Sequence, residues 1–141
     1  MIEWLPEHDK AIREHGERDY PHECCGLLIG RFGDGLKVVL EVFPISNARE
    51  EEHKRNRFLI HPEELQRGEQ HARQRDLDVV GFYHSHPDVE ARPSTYDLEH
   101  AWPTYSYVIV SVCKANAQEV RSWELKPDRL QFDEEATIKG D

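Results

Sequence analysis

Positive charge is what this chain has least of. Its 18 Lys and Arg stand against 28 Asp and Glu, a formal net charge of −10. Proteins that track a phosphate backbone collect positive charge, and docking on an anionic lipid surface needs a basic face. Nucleic acid and membrane are therefore not the expected partners. Apolar runs are short too: none approaches the roughly 20 residues of a membrane span. The first residues, Met1-Ile2-Glu3-Trp4-Leu5-Pro6-Glu7, have neither the basic region nor the apolar core of a signal peptide. Cysteine is scarce and badly placed for cross-linking. Cys24, Cys25 and Cys113 are an odd set with an adjacent pair, which builds no disulfide framework. There is no C-x-x-C pair, so zinc-ribbon and zinc-finger patterns are excluded. A reducing cytoplasm is the expected location. Internal repeats and low-complexity tracts are absent.

What is present is enough for one domain. A chain of 141 residues buries roughly 70% of its unfolded surface on folding and needs no staples. The composition is polar, with 38% hydrophobic and 33% charged residues and a mean hydropathy of −0.79. Clustered β-branched runs nevertheless argue for a folded core. Pro6 suits the first turn of a helix running to about Asp19, with Leu5, Ala11, Ile12 and His15 near one face, and Pro21 stops it. Residues 25–32 and 36–45 read as a hairpin about Gly33-Asp34-Gly35. Residues 46–55 read as an exposed loop and 57–60 as a short strand. Pro62 opens a second helix to about Arg75, with Leu65 and Ala72 on its inner face. Strand character returns at 78–86, and a short helix runs from Thr95 to about Ala101. Residues 105–113 and 119–125 read as two more strands, paired across an Ala115-Asn116 turn. The expected fold is α/β (α+β): one domain over residues 1–132 with a mixed β-sheet and two or three helices. The acidic tail, 133–141, is expected to fray.

The chemistry is concentrated in His84-Ser85-His86-Pro87 and Ser94-Thr95-Tyr96-Asp97. Residues two apart on a strand point the same way, so His84 and His86 present two imidazoles on one side. Neutral imidazole is a preferred zinc ligand. Asp97, after a short loop, can return a carboxylate to the same point. Three protein ligands leave one position for water, the mark of a catalytic rather than a structural zinc. Each part has an ordinary explanation alone: a solvated His-x-His, and Ser94-x-x-Asp97 as a helix cap. The conjunction outweighs both, because a further acidic residue, Glu23, stands where Pro21-His22-Glu23-Cys24-Cys25-Gly26-Leu27-Leu28-Ile29-Gly30 turns from polar to apolar.

The pattern Glu…His-x-His, seven residues, then Ser-x-x-Asp resembles the JAMM (MPN-plus) zinc metallopeptidases. The resemblance covers roughly residues 5–125, and the small size is similar to the stand-alone bacterial and archaeal members. It implies a curved sheet of the MPN/cytidine-deaminase-like kind. It also implies one Zn²⁺ per chain held by His84, His86 and Asp97 with water as the remaining ligand. Glu23 would be the general base and acid, and Ser94 the donor to the oxyanion. Ser85 points to the other side and is read as structural. The implied reaction is hydrolysis of a peptide or isopeptide bond after the Gly-Gly tail of a ubiquitin-like or sulfur-carrier protein. A noncatalytic, zinc-stabilised interaction module is the alternative. A DNA-repair branch of the same superfamily is disfavoured by the charge and by His-Ser-His. A zinc nucleoside deaminase would need H-x-E and P-C-x-x-C, and neither is present. Cys24 and Cys25 are read as buried thiols.

Overall fold

The computed structural model describes residues 1–45, 60, 62–128 and 130–140. The chain runs β1 (Ile2–Trp4), α1 (Pro6–Asp19), β2 (Cys25–Gly33), β3 (Leu36–Ile45), α2 (Pro62–Gln74), β4 (Asp78–Pro87), α3 (Thr95–Glu99), β5 (Ser106–Cys113), β6 (Asn116–Leu125), β7 (Phe132–Glu135) and β8 (Thr137–Lys139). The strands form one mixed sheet in the order β7-β6-β5-β4-β2-β3-β1-β8. The pairs β4–β5, β1–β3 and β1–β8 are parallel and the others antiparallel.

Two cores lie on the two faces. On one, Ile12 of α1 packs with Trp4, Cys24, Leu28, Tyr83 and Val108. On the other, Ala72 of α2 packs with Leu27, Ile29, Phe82 and Tyr107. Helix α1 approaches so closely that a Cβ at Gly16 would stand 2.9 Å from Val112 Cγ2. Its buried residues are His8, Ile12, His15 and Gly16; Ala11, expected inward, is exposed. The β2–β4 register shifts between Leu28 and Ile29, which face Gly81 and Val79. Val80 is the extra residue of this bulge. It sends Val80 and Tyr83 to the α1 side and leaves Val79 and Phe82 on the α2 side. His84 and His86 follow Phe82 at the strand's two-residue period.

Several expectations are corrected. Helix α3 ends at Glu99 rather than Ala101. The β5–β6 turn is Lys114-Ala115, both at positive φ (49° and 68°), and β6 starts at Asn116. That is the two-residue hairpin geometry that favours Asn and Gly, formed here without either. β1 was not foreseen, because a three-residue strand carries no periodicity. The loop expected over 46–55 and the strand over 57–60 fall outside the described residues, except Ile60, which lies in no strand. The frayed tail is also overturned. β7 pairs with β6 and β8 with β1, so the chain steps across Ala136 from one edge of the sheet to the other. Ile2 N–H donates to the Ala136 carbonyl at 3.0 Å. A polar knot makes the tail's docking favourable. Glu135, 4% exposed, accepts from Ser106 Oγ at 2.6 Å and Ser122 Oγ at 2.8 Å. It also faces Lys37 Nζ at 3.2 Å and the Met1 amino group at 3.0 Å.

Candidate metal centre

His84 and His86 leave the end of β4 on the α2 side, 1% and 6% exposed. Their Nε2 atoms stand 3.1 Å apart. Asp97 Oδ2, returned by α3, lies 3.3 Å from His84 Nε2 and 3.2 Å from His86 Nε2. Glu23, 3% exposed, stands at the entrance to β2. It brings a carboxylate oxygen into a group with the two histidines in which all ligand atoms lie within 4.8 Å of one another.

The donor set fits a tetrahedral cation. Zinc bonds of about 2.0–2.1 Å hold neighbouring donors roughly 3.3–3.4 Å apart, close to the three separations above. Protonation agrees. His86 Nδ1 lies 2.9 Å from the Glu90 carbonyl. A carbonyl only accepts, so Nδ1 carries a proton and Nε2 is the ring nitrogen turned to the site. Burial lowers the pKa of His84 and keeps it neutral, against the opposing pull of Asp97. Burial pushes the Asp97 carboxyl up, but the facing His84 and His86 rings and the Ser94 N–H more than reverse this and hold it well below the usual carboxylate range. A neutral His84 and an ionised Asp97 are protonation states that suit a divalent cation.

Ser94 is the N-cap of α3. Its Oγ accepts from Asp97 N–H at 3.1 Å, and its own N–H donates to Asp97 Oδ2 at 2.8 Å. Ser94 is exposed, and this reciprocal pair leaves the hydroxyl proton unused. Ser85, fully buried, points to the other side of β4. Its Oγ accepts from Cys24 N–H at 2.8 Å, and its N–H donates to the Cys24 carbonyl at 3.2 Å. It clamps the residue after Glu23 to the strand that carries the histidines, a structural part as expected. Cys24 and Cys25 are buried free thiols. Burial pushes Cys24 up to about 12 and raises Cys25 also, so neither supplies a thiolate at neutral pH.

The spacer between His86 and Ser94 holds what the sequence did not reveal. Asp88 accepts from Tyr20 Oη at 2.7 Å and from Lys114 N–H at 3.0 Å. Ser111 Oγ donates to the Val89 carbonyl at 2.6 Å. Trp123 Nε1 donates to the Ala91 carbonyl at 3.0 Å. These anchors come from the residue that caps α1, from β5, β6 and the β5–β6 turn, far from the motif in sequence, and no local pattern could have announced them.

The family model for prokaryotic homologs of the JAB domain matches residues 6–126. The chain belongs to this family. It is 38% identical over 100 residues to the desampylase of Haloferax volcanii, covering 70% of this chain and 69% of that one. It is 31% identical over 116 residues to the CysO-cysteine peptidase of Mycobacterium tuberculosis, covering 82% of this chain and 76% of that one. A solution structure of a protein from Desulfitobacterium hafniense is 30% identical and superposes with a TM-score of 0.86 over 100% of this chain and 94% of that one. The JAB-family chain is an enzyme, a hydrolase of the peptidase class, which sets aside the noncatalytic module. No helix among the described residues is long and apolar enough to cross a membrane.

Proposed function

We propose that this JAB-family chain is a zinc metallopeptidase that cleaves the peptide or isopeptide bond following the Gly-Gly tail of a ubiquitin-like or sulfur-carrier protein. The observation that carries the zinc part is the convergence of His84 Nε2, His86 Nε2 and Asp97 Oδ2 within 3.1–3.3 Å of one another. The substrate part is supported by relatives named for desampylation and for CysO-cysteine cleavage. Free cysteines fit a cytoplasmic setting.

His84, His86 and Asp97 would hold the ion. A zinc ion held there would supply Lewis acidity, making water easier to deprotonate and polarising a carbonyl. Glu23, beside the histidines but carried by the segment that leads into β2, takes a proton from the attacking water and hands it to the departing amine. Ser94 Oγ donates its free proton to the carbonyl oxygen as negative charge builds there. Ser85 holds Glu23 in reach through its two bonds to Cys24.

The test is zinc stoichiometry measured together with cleavage of a Gly-Gly-extended carrier. The wild type should bind one equivalent and cleave. Glu23→Gln should keep the zinc and lose roughly 10²–10⁴-fold in turnover. His84→Ala should lose both tight zinc and the thermal stabilisation that a ligand bound only to the native state provides. Loss of zinc by Glu23→Gln in step with activity would make Glu23 a ligand and overturn its assignment as the base.

A further inference from the structure

Beside the metal centre lies a cavity of about 210 Å³. His84 and Asp97 form one end of it; Leu65 of α2, Phe82 of β4, Tyr107 of β5 and Trp102 line much of the rest. Phe82 stands two residues before His84 and so shares its face. The Phe82 and Tyr107 rings stack at a centroid distance of 5.5 Å and make a floor on the sheet. Tyr107 Oη is turned to accept the Trp102 N–H at 2.7 Å, so the floor offers ring carbons. No lysine or arginine lines the cavity, and Asp97 is its one carboxylate among the described residues. An engineered apolar cavity of about 150 Å³ takes benzene; this one has room for a single branched or aromatic side chain.

A Gly-Gly tail cannot fill such a space. Glycines carry no side chain, and an extended chain advances about 3.3–3.6 Å per residue. The first side chain on the carrier side therefore begins roughly 7–10 Å back from the scissile carbon. The first residue of the leaving group sits immediately past the bond, and the cavity begins at the residues that would hold the metal. We propose that this cavity receives the side chain of the residue released after Gly-Gly, and that this residue is apolar and joined through its α-amine. A lysine joined through Nζ presents an unbranched stem that fills such a space less well than a branched or aromatic side chain. The inference rests on the function proposed above and narrows its substrate.

The experiment uses the zinc-loaded full chain and peptides ending Gly-Gly-X, with X as Leu, Phe or Asp, beside a Gly-Gly isopeptide on Lys Nζ. A second series varies the residue before Gly-Gly. Leu and Phe at X should exceed Asp by about tenfold or more in kcat/KM, the discrimination an apolar pocket supplies. Leu65→Trp, which fills the cavity from α2, should compress that ratio toward one. Ligand-observed NMR supplies a readout independent of turnover. Saturation should pass from the protein to L-leucine but not to L-aspartate, and Leu65→Trp should abolish it. Equal cleavage of Leu and Asp peptides, preference for the isopeptide, or preference following the residue before Gly-Gly would each overturn the inference. If no peptide is cleaved but leucine binds in a Leu65-dependent way, the Gly-Gly reading fails and the pocket assignment survives. If leucine does not bind either, both fall.

Discussion

Asp97 Oδ2 serves three neighbours at once: the Ser94 N–H at 2.8 Å and the Nε2 atoms of His84 and His86 at 3.3 and 3.2 Å. A helix cap and a proposed metal ligand thus share one oxygen, and Ser94 joins them. Substitution separates what Ser94 does. Losing the cap costs about 1 kcal/mol of stability, whereas losing a donor to the oxyanion costs roughly 10²–10³-fold in rate. Thr at this position keeps both the acceptor and the proton, so Ser94→Thr should retain appreciable activity. Ser94→Asp should keep the cap and the fold but be nearly inactive, since a carboxylate offers no proton at neutral pH. Zinc content must be measured alongside, because the added carboxylate can compete for the ion. An active, zinc-loaded Ser94→Asp protein would reduce Ser94 to a cap.

At the scale of elements, the seven-residue spacer after His86 is the part to probe. It is held by Tyr20 at the end of α1, Ser111 of β5, a backbone N–H of the β5–β6 turn, and Trp123, which reaches from β6. Trp123→Phe keeps an aromatic ring beside Arg92 and Arg121, whose guanidinium carbons lie 6.0 and 5.0 Å from the ring centre, but removes the indole N–H together with the rest of its five-membered ring. The Ala91 carbonyl then loses its partner, at about 1 kcal/mol. If that slack reaches Glu90, whose carbonyl orients His86, zinc affinity should fall about fivefold, the equivalent of that energy. Competition with a chelator measures it, and an unchanged affinity would confine Trp123 to packing. The donors themselves were legible because their spacing is local: a strand period of two, then a short return. The spacer's anchors were not, since Trp123 lies 32 residues from Ala91 and a tryptophan in a strand reads as core. The bulge at Val80 was equally invisible. It leaves no composition signal, yet it decides which core Val79 and Val80 join.

Taken whole, the molecule depends on a buried carboxylate at its seam. Burial pushes Glu135 up, but the hydroxyls of Ser106 and Ser122, the Met1 amino group and Lys37 reverse this and leave its pKa lowered. A carboxyl depressed in the folded state contributes stability above its unfolded pKa of about 4.3 and loses it as pH falls through the folded value. Glu135→Gln should therefore lower the melting temperature most above about pH 5, with a cost of about 1–3 kcal/mol for the strained buried bonds. The gap to wild type should narrow as pH drops below about 4. Thermal melts across that range check the sign; a gap independent of pH would mean that shape, not charge, accounts for the loss. The sequence misled here for a physical reason. Asp133-Glu134-Glu135 reads as a charged, solvated run, and its inward member is recognisable only by the serines and the lysine that meet it from β5, β6 and β3.

The step across Ala136 has one more consequence, for how copies of this protein meet one another. An open sheet offers unpaired N–H and C=O groups along two borders, each a template on which another chain can pair. Here one short segment covers both borders, β6 with β7 and β1 with β8. Ending the chain after Lys126 would uncover the two together, leaving a particle that can be extended from either side. Such a protein should keep the donor cluster and still lose solubility, elongating into ordered polymers with a β signature. Sedimentation and thioflavin binding at rising concentration would reveal it, and a truncated chain that stays monomeric would show that curvature alone protects the borders.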